Sequence, residues 1–155
     1  MQPKKETLNS ETTRRQLMKD SLTLAGIGPL CCTTPELRPT SLHYRGAVLI
    51  VDLKQARELR KRGCARVIVD PGRKLNIIVA NAGQNHFVAL DRTCTHGGAL
   101  CSYNSQRRSL QCTSLNHAEY DLHGVLLHGR THGNLRAYEV RLTGTSLEIA
   151  LEKKA

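Results

Sequence analysis

Cys94-Thr95-His96-Gly97, followed fifteen residues later by Cys112 and then His117, brings two thiols and two imidazoles together as two mixed pairs. Each pair is short enough to sit on one loop. Thiolate and imidazole suit soft or borderline metals, so the set points to zinc or to an iron–sulfur cluster. Zinc sites usually draw paired ligands from C-x2-4-C or H-x3-5-H steps, whereas here each pair is mixed and the first is a tight C-x-H. One mixed pair per loop suits a two-iron cluster in which one iron takes both Cys and the other both His. Such a centre moves electrons.

The remaining candidates have plainer readings. Cys64 and Cys101 are expected as small buried hydrophobes, and His43, His86, His123, His128 and His132 as solvated or core-satisfied side chains. His128 and His132 have a second reading, because both lie in the Gly-rich turn HGRTHG and a third loop would carry them toward the centre. No nucleophile–base pair or paired carboxylate suggests independent catalysis.

Residues 88–101, VALDRTCTHGGALC, resemble the first cluster-binding box of a Rieske [2Fe–2S] protein, with its core C-T-H-x-G. LQCTSLNHAEYDLHG, Leu110 to Gly124, resembles the second box, usually C-P-x-H-G-x-x-[FY]-D, and LRAYEVRLTGTSLEIAL (135–151) is similar to the closing strands. The resemblance covers about residues 44–152. It implies an all-β fold, a small antiparallel Rieske-type sandwich or barrel with a cluster-binding subdomain. It also implies a [2Fe–2S] cluster held by Cys94, His96, Cys112 and a second His.

The second box departs from the family pattern. The family pair is C-x2-H and this chain offers C-x4-H; position 115 is Leu, and counting back from Tyr120-Asp121 lands on Asn116. His117 is the only imidazole within reach of the loop and is the expected fourth ligand, with a two-residue bulge that a surface loop absorbs cheaply. A degenerate box without a cluster is the alternative. High-potential members of the family brace their loops with an extra disulfide, and here Cys101 is the one candidate and its partner position is Asn116. They also direct a Ser and a Tyr hydroxyl at cluster sulfurs; position 119 is Glu, and Tyr120 is the shifted counterpart of the Tyr. Donors to sulfur raise the potential, so a lost hydroxyl and an added carboxylate predict a lower one.

The elements that position these residues read as many short strands: AVLIVDL (47–53), ARVIVD (65–70), LNIIVAN (75–81), HFVALD (86–91), SLQC (109–112), a short strand within 118–122, VLLH (125–128), AYEVRL (137–142) and SLEIAL (146–151). Pro71-Gly72 and Gly83-Gln84-Asn85 are turn signals between them. Lys54–Arg62 is charged and is expected as one short helix. The domain is expected over 44–152, after a linker at 34–43 and before a tail at 153–155.

Residues 1–33 look like a twin-arginine export signal: Thr-Thr-Arg-Arg-Gln-Leu-Met-Lys at 12–19, then the apolar run SLTLAGIGPLCC, with no clear A-x-A cleavage site. That run is shorter than the roughly 18 residues of a membrane span. A protein that acquires its cofactor in the cytoplasm must cross the membrane folded, so this leader places the chain in the periplasm or on the outer face of the cytoplasmic membrane, cleaved or retained by its leader. At 155 residues there is no room for the separate mononuclear-iron domain of a Rieske oxygenase.

The net charge is +10, and 18 Lys/Arg against 10 Asp/Glu fall after residue 33. Nucleic-acid binding would bring base-stacking aromatics or a known motif, and neither is present. Steering toward an acidic redox partner fits better, while a positive surface that only aids solubility is the plain alternative. The expected function is therefore one-electron transfer as an exported subunit or carrier of a respiratory or oxidoreductase complex. A cluster-less structural or binding subunit, and a Rieske ferredoxin feeding an oxygenase, are the alternatives.

Overall fold

The structure, a computed structural model, describes residues 34–115 and 117–152. The leader, Asn116 and the tail lie outside the described residues. Among the described residues, twelve short strands form three four-stranded antiparallel sheets. The first sheet holds β1 (Leu42–Arg45), β2 (Val48–Asp52), β12 (Ser146–Ala150) and β11 (Val140–Thr143) in that order. The middle sheet runs β10 (Ala137–Tyr138), β5 (His86–Asp91), β4 (Leu75–Gly83), β3 (Ala65–Asp70). The third runs β6 (Cys101–Asn104), β7 (Ser109–Cys112), β8 (Glu119–Tyr120), β9 (Leu126–His128).

The middle sheet is apolar on both faces, and the sequence of β4 shows why. LNIIVANAG has almost no polar alternation, as a strand buried on both sides requires, and it is buried from Ile77 to Gly83. Successive side chains point to opposite faces. Ile77 and Val79 of β4, with Phe87 and Ala89 of β5, enter a first core with Leu49, Val51, Leu147 and Ile149 of the first sheet. Ile78, Ala80, Val88 and Leu90 enter a second core with the third sheet.

Two expectations are corrected here. Lys54–Arg62 is not one helix: only Arg57–Arg60 form a 3-10 turn, pinned by the burial of Ala56 and Leu59. The carboxamide of Asn81, itself buried, donates to the carbonyls of Leu59 at 2.8 Å and Arg60 at 3.2 Å. Residues 34–43 are not a free linker either. Leu37 is buried, Glu36 forms a parallel bridge with Val67, Pro39–Ser41 make a 3-10 turn, and β1 already begins at Leu42. Their lack of hydrophobic periodicity hid them, because they are held by backbone bonds to β3 such as Leu37 N to Val67 O at 2.7 Å.

Candidate metal centre

The two boxes meet at one end of the β6–β7 hairpin. Box one is the loop from the end of β5 into β6, and box two is the loop from β7 into β8. The β6–β7 register sets Cys101 opposite Cys112, so the chain enters and leaves the hairpin at one place. Backbone bonds tie the loops together: Thr113 N donates to Leu100 O at 3.0 Å, and Cys112 N to Ala118 O at 2.8 Å. Within box one, Cys94 N donates to Ala99 O at 2.7 Å and Gly98 N to Cys94 O at 3.1 Å. This tight turn needs Gly98 at φ +71°, a left-handed conformation that glycine adopts without cost.

Cys94, His96 and Cys112 converge, with their ligating atoms all within 4.8 Å of one another. Cys94 and Cys112 are buried and His96 is half-buried. Cys94 Sγ lies 2.7 Å from His96 Nδ1 and 3.1 Å from the Tyr120 hydroxyl. Ser114 Oγ stands between the other two donors, 3.2 Å from Cys112 Sγ and 2.9 Å from His96 Nε2. Burial alone would push the Cys94 thiol up, but hydrogen bonds from Tyr120 and His96 overcome it and hold the thiol at about 7, below its ordinary 9.0. Cys101, fully buried behind them, is shifted the other way by burial and by the neighbouring Cys94 and Cys112.

His117 is not in this converging group among the described residues. It is exposed, its backbone sits at φ +44°, and its N–H donates to Ser114 O at 3.0 Å. His128 and His132 are exposed and outside the group as well. The third loop does reach the site, but through backbone: Thr95 Oγ1, 3.3 Å from the Tyr120 hydroxyl, donates to Gly133 O at 3.0 Å. Cys101 is buried as expected, whereas Cys64 is only half-buried. The four described cysteines are free thiols.

The expectations about hydroxyl donors change in two ways. Tyr120 does reach a ligand sulfur, held from β8 with its side chain fully buried. Glu119, its neighbour on the strand, points to the other face by strand alternation. Its carboxylate accepts from Ser109 Oγ at 2.5 Å and from Arg107 Nη1 at 3.2 Å, and the Ser109 bond, ahead of the charge of Arg107, keeps it below the usual carboxylate range. It is therefore engaged away from the thiols. A serine hydroxyl is present after all, but from Ser114. The C-x-S step was the available signal, overlooked because the family pattern directs attention to position 119. Both grounds for a lowered potential thus disappear.

Behind the loops, the turn 121–124 locks the site to the middle sheet. Gly124 N donates to Asp121 O at 3.1 Å, and Leu135 N donates to Gly124 O at 2.8 Å. A Cβ at Gly124 would collide with the Leu135 carbonyl, so this approach requires glycine.

No protein-family model matches the sequence, and no curated protein sequence matches it. Solved structures do match. A chain of the complex of reduced oxygenase and oxidized ferredoxin in carbazole 1,9a-dioxygenase is 20% identical, covers 72% of this chain and 99% of its own, and has a TM-score of 0.58. The ferredoxin of carbazole 1,9a-dioxygenase from Nocardioides aromaticivorans IC177 is 20% identical, with 66% and 95% covered and a TM-score of 0.53. The cyanobacterial plasma membrane Rieske protein of Synechocystis PCC 6803 is 22% identical, with 63% and 89% covered and a TM-score of 0.49. The chain has the Rieske-type all-β fold, and where its two loops meet it carries a Cys94–His96–Cys112 donor group able to hold a cluster.

Proposed function

We propose that this chain is a one-electron carrier built around a [2Fe–2S] cluster, held by Cys94 and Cys112 on one iron and by His96 and His117 on the other. The observation that carries the reading is the convergence of Cys94, His96 and Cys112 at the junction of two loops in this fold. The donor chemistry fits the group: two buried thiols, one of them already inclined to the thiolate, beside a half-buried imidazole. When bound, the cluster supplies a reversible one-electron centre. The chain's own residues do the rest. Burial of Cys94 and Cys112 keeps water from the sulfurs, Tyr120 anchors Cys94, and Ser114 spans Cys112 and the outer nitrogen of His96. A hydrogen bond to the imidazole nitrogen that does not face the thiols fixes the ring and its tautomer. His117 enters as the fourth donor because its turn already lies on the loop of Cys112.

The carrier serves an exported respiratory or oxidoreductase complex, delivered by the leader with its Arg14-Arg15 pair to the periplasm or the outer face of the cytoplasmic membrane. A second reading, a ferredoxin feeding an oxygenase, gains from the ferredoxin of N. aromaticivorans, 95% of whose chain is covered. Iron and acid-labile sulfide in equal amounts, with a Rieske-type low-temperature EPR signal, are expected of the purified protein. A colourless protein, or one holding only zinc, overturns the reading in favour of a cluster-less subunit. His117→Ala is expected to lose the signal; an intact signal in that variant removes His117 from the ligand set.

A further inference from the structure

A group of exposed cations lies at the end of the β6–β7 hairpin away from the cysteines. Arg107 and Arg108 are exposed in the turn after β6. Arg60, Lys61 and Arg62 are exposed on the neighbouring segment. Both groups are fixed to the end of β4. Arg108 Nη2 donates to Ala82 O at 3.2 Å, the Arg62 side chain lies over Gly83, and Asn81 holds the Arg60 carbonyl. The two segments touch directly, since a Cβ at Gly63 would stand 3.5 Å from Ser105 Cβ.

Five cations therefore share one end of the molecule. The acids nearby are Glu119, paired with Arg107 at 3.2 Å, and Glu58, 3.9 Å from Arg66. Arg60, Lys61, Arg62 and Arg108 have no acidic partner among the described residues. Holding like charges together costs free energy that an opposing anionic surface relieves.

We propose that this end docks on an anionic phospholipid bilayer. Two observations favour lipid over an acidic protein. First, none of the exposed large hydrophobics, Val69, Leu100, Leu115, Val125, Leu127 and Leu142, belongs to the basic segments. Specific protein interfaces centre on apolar and aromatic anchors, whereas a bilayer surface asks only for charge. Second, β6 has four residues, so the basic turn and Cys101 are separated by about 10 Å along the strand alone. A redox partner seated on the basic end would face away from the donor group, but a membrane seated there leaves that group free. The four Arg add bidentate recognition of phosphate.

The test is co-sedimentation of the full chain with phosphatidylcholine vesicles and with vesicles containing phosphatidylglycerol. Partition is expected into the anionic vesicles only, and it should fall as salt rises. The double variant Arg60→Glu/Lys61→Glu is expected to weaken partition by on the order of tenfold or more. Arg130→Glu/Arg141→Glu, with the same change in net charge at other places, should stay close to wild type. Equal binding to both vesicle types, equal loss in the two double variants, or no partition into the anionic vesicles overturns the proposal, the last in favour of an acidic protein. None of these readouts depends on a cluster, so the outcome is independent of the electron-carrier reading.

Discussion

Between the first and middle sheets, the core is aliphatic apart from Phe87 and Tyr138, and it is closed by Leu49, Val51, Leu147 and Ile149. Between the middle and third sheets, the core includes Cys94, Cys101 and Cys112 with Tyr103 and Tyr120 among its Ala, Val, Ile and Leu. Both cores share β4 and β5, whose alternate side chains feed one or the other. The first core can therefore be a stabiliser alone. The second gives up apolar volume to groups that are costly to bury unless they find partners. It meets that cost locally, through Tyr120 on Cys94 and Ser114 on Cys112. The contrast separates what makes this chain fold from what makes it a candidate metal centre.

The largest test strikes the first core. Leu49 is fully buried there, and Leu49→Ala is expected to cost about 2–5 kcal/mol of stability by lost transfer and by the cavity left behind. Urea unfolding followed by far-UV circular dichroism measures it. Below the transition the same variant should retain the metal-binding behaviour of the wild type, because Leu49 does not touch the second core. A changed metal spectrum under native conditions would show that the two cores are not separable.

The division also explains what the sequence could reveal. β3 and β5 were legible to the residue, since ARVIVD and HFVALD are β-branched or aromatic runs bounded by turn signals. Cys94, His96 and Cys112 were legible because a donor set has a spacing, and they do converge. β1 and β6 were not legible. LHYR and CSYN are short and mixed, and they become strands only through pairing partners, β2 for one and β7 for the other. Ser114 was hidden for a related reason: its role depends on the fold of a loop two residues longer than the family pattern, and hydrogen bonds to sulfur leave no periodicity. The side of β8 to which Glu119 points was fixed by pairing with β7 and β9, which composition does not encode.

A smaller effect is expected in the second core. Tyr120→Phe keeps the buried ring and removes only the hydroxyl that meets Cys94 Sγ and Thr95 Oγ1. The expected loss is on the order of 1 kcal/mol, the usual net worth of a hydrogen bond, well below that of Leu49→Ala. In the cluster-loaded protein the same change should move the midpoint potential downward, since a donor to a ligand sulfur has gone. A drop in stability as large as that of Leu49→Ala would mean that Tyr120 is chiefly a packing residue.

The remaining effect is one of pH, and its sign differs between the two cysteines of the second core. In the cluster-free, reduced chain the Cys94 thiol is held at about 7 against an ordinary 9.0. A depressed folded value favours the thiolate in the folded state. That contribution is full above pH about 9 and is lost as pH falls through about 7. Cys101 is raised, chiefly by burial and then by Cys94 and Cys112, so it stays a thiol when folded and ionises only on unfolding once pH passes the ordinary value. Its contribution is present below that pH and falls away above it. Together they predict a cysteine-borne stability that climbs from pH 7 toward 9 and then declines. Denaturant midpoints taken across this range with reductant present would show it. Cys101→Ala should remove the alkaline decline, and Tyr120→Phe should flatten the rise, because the Tyr120 hydroxyl is the foremost of the hydrogen bonds that lower Cys94. A rise that persists unchanged in both Tyr120→Phe and Cys94→Ala would assign it to groups outside the second core and break the distinction between a core that only stabilises and one that also holds a poised thiolate.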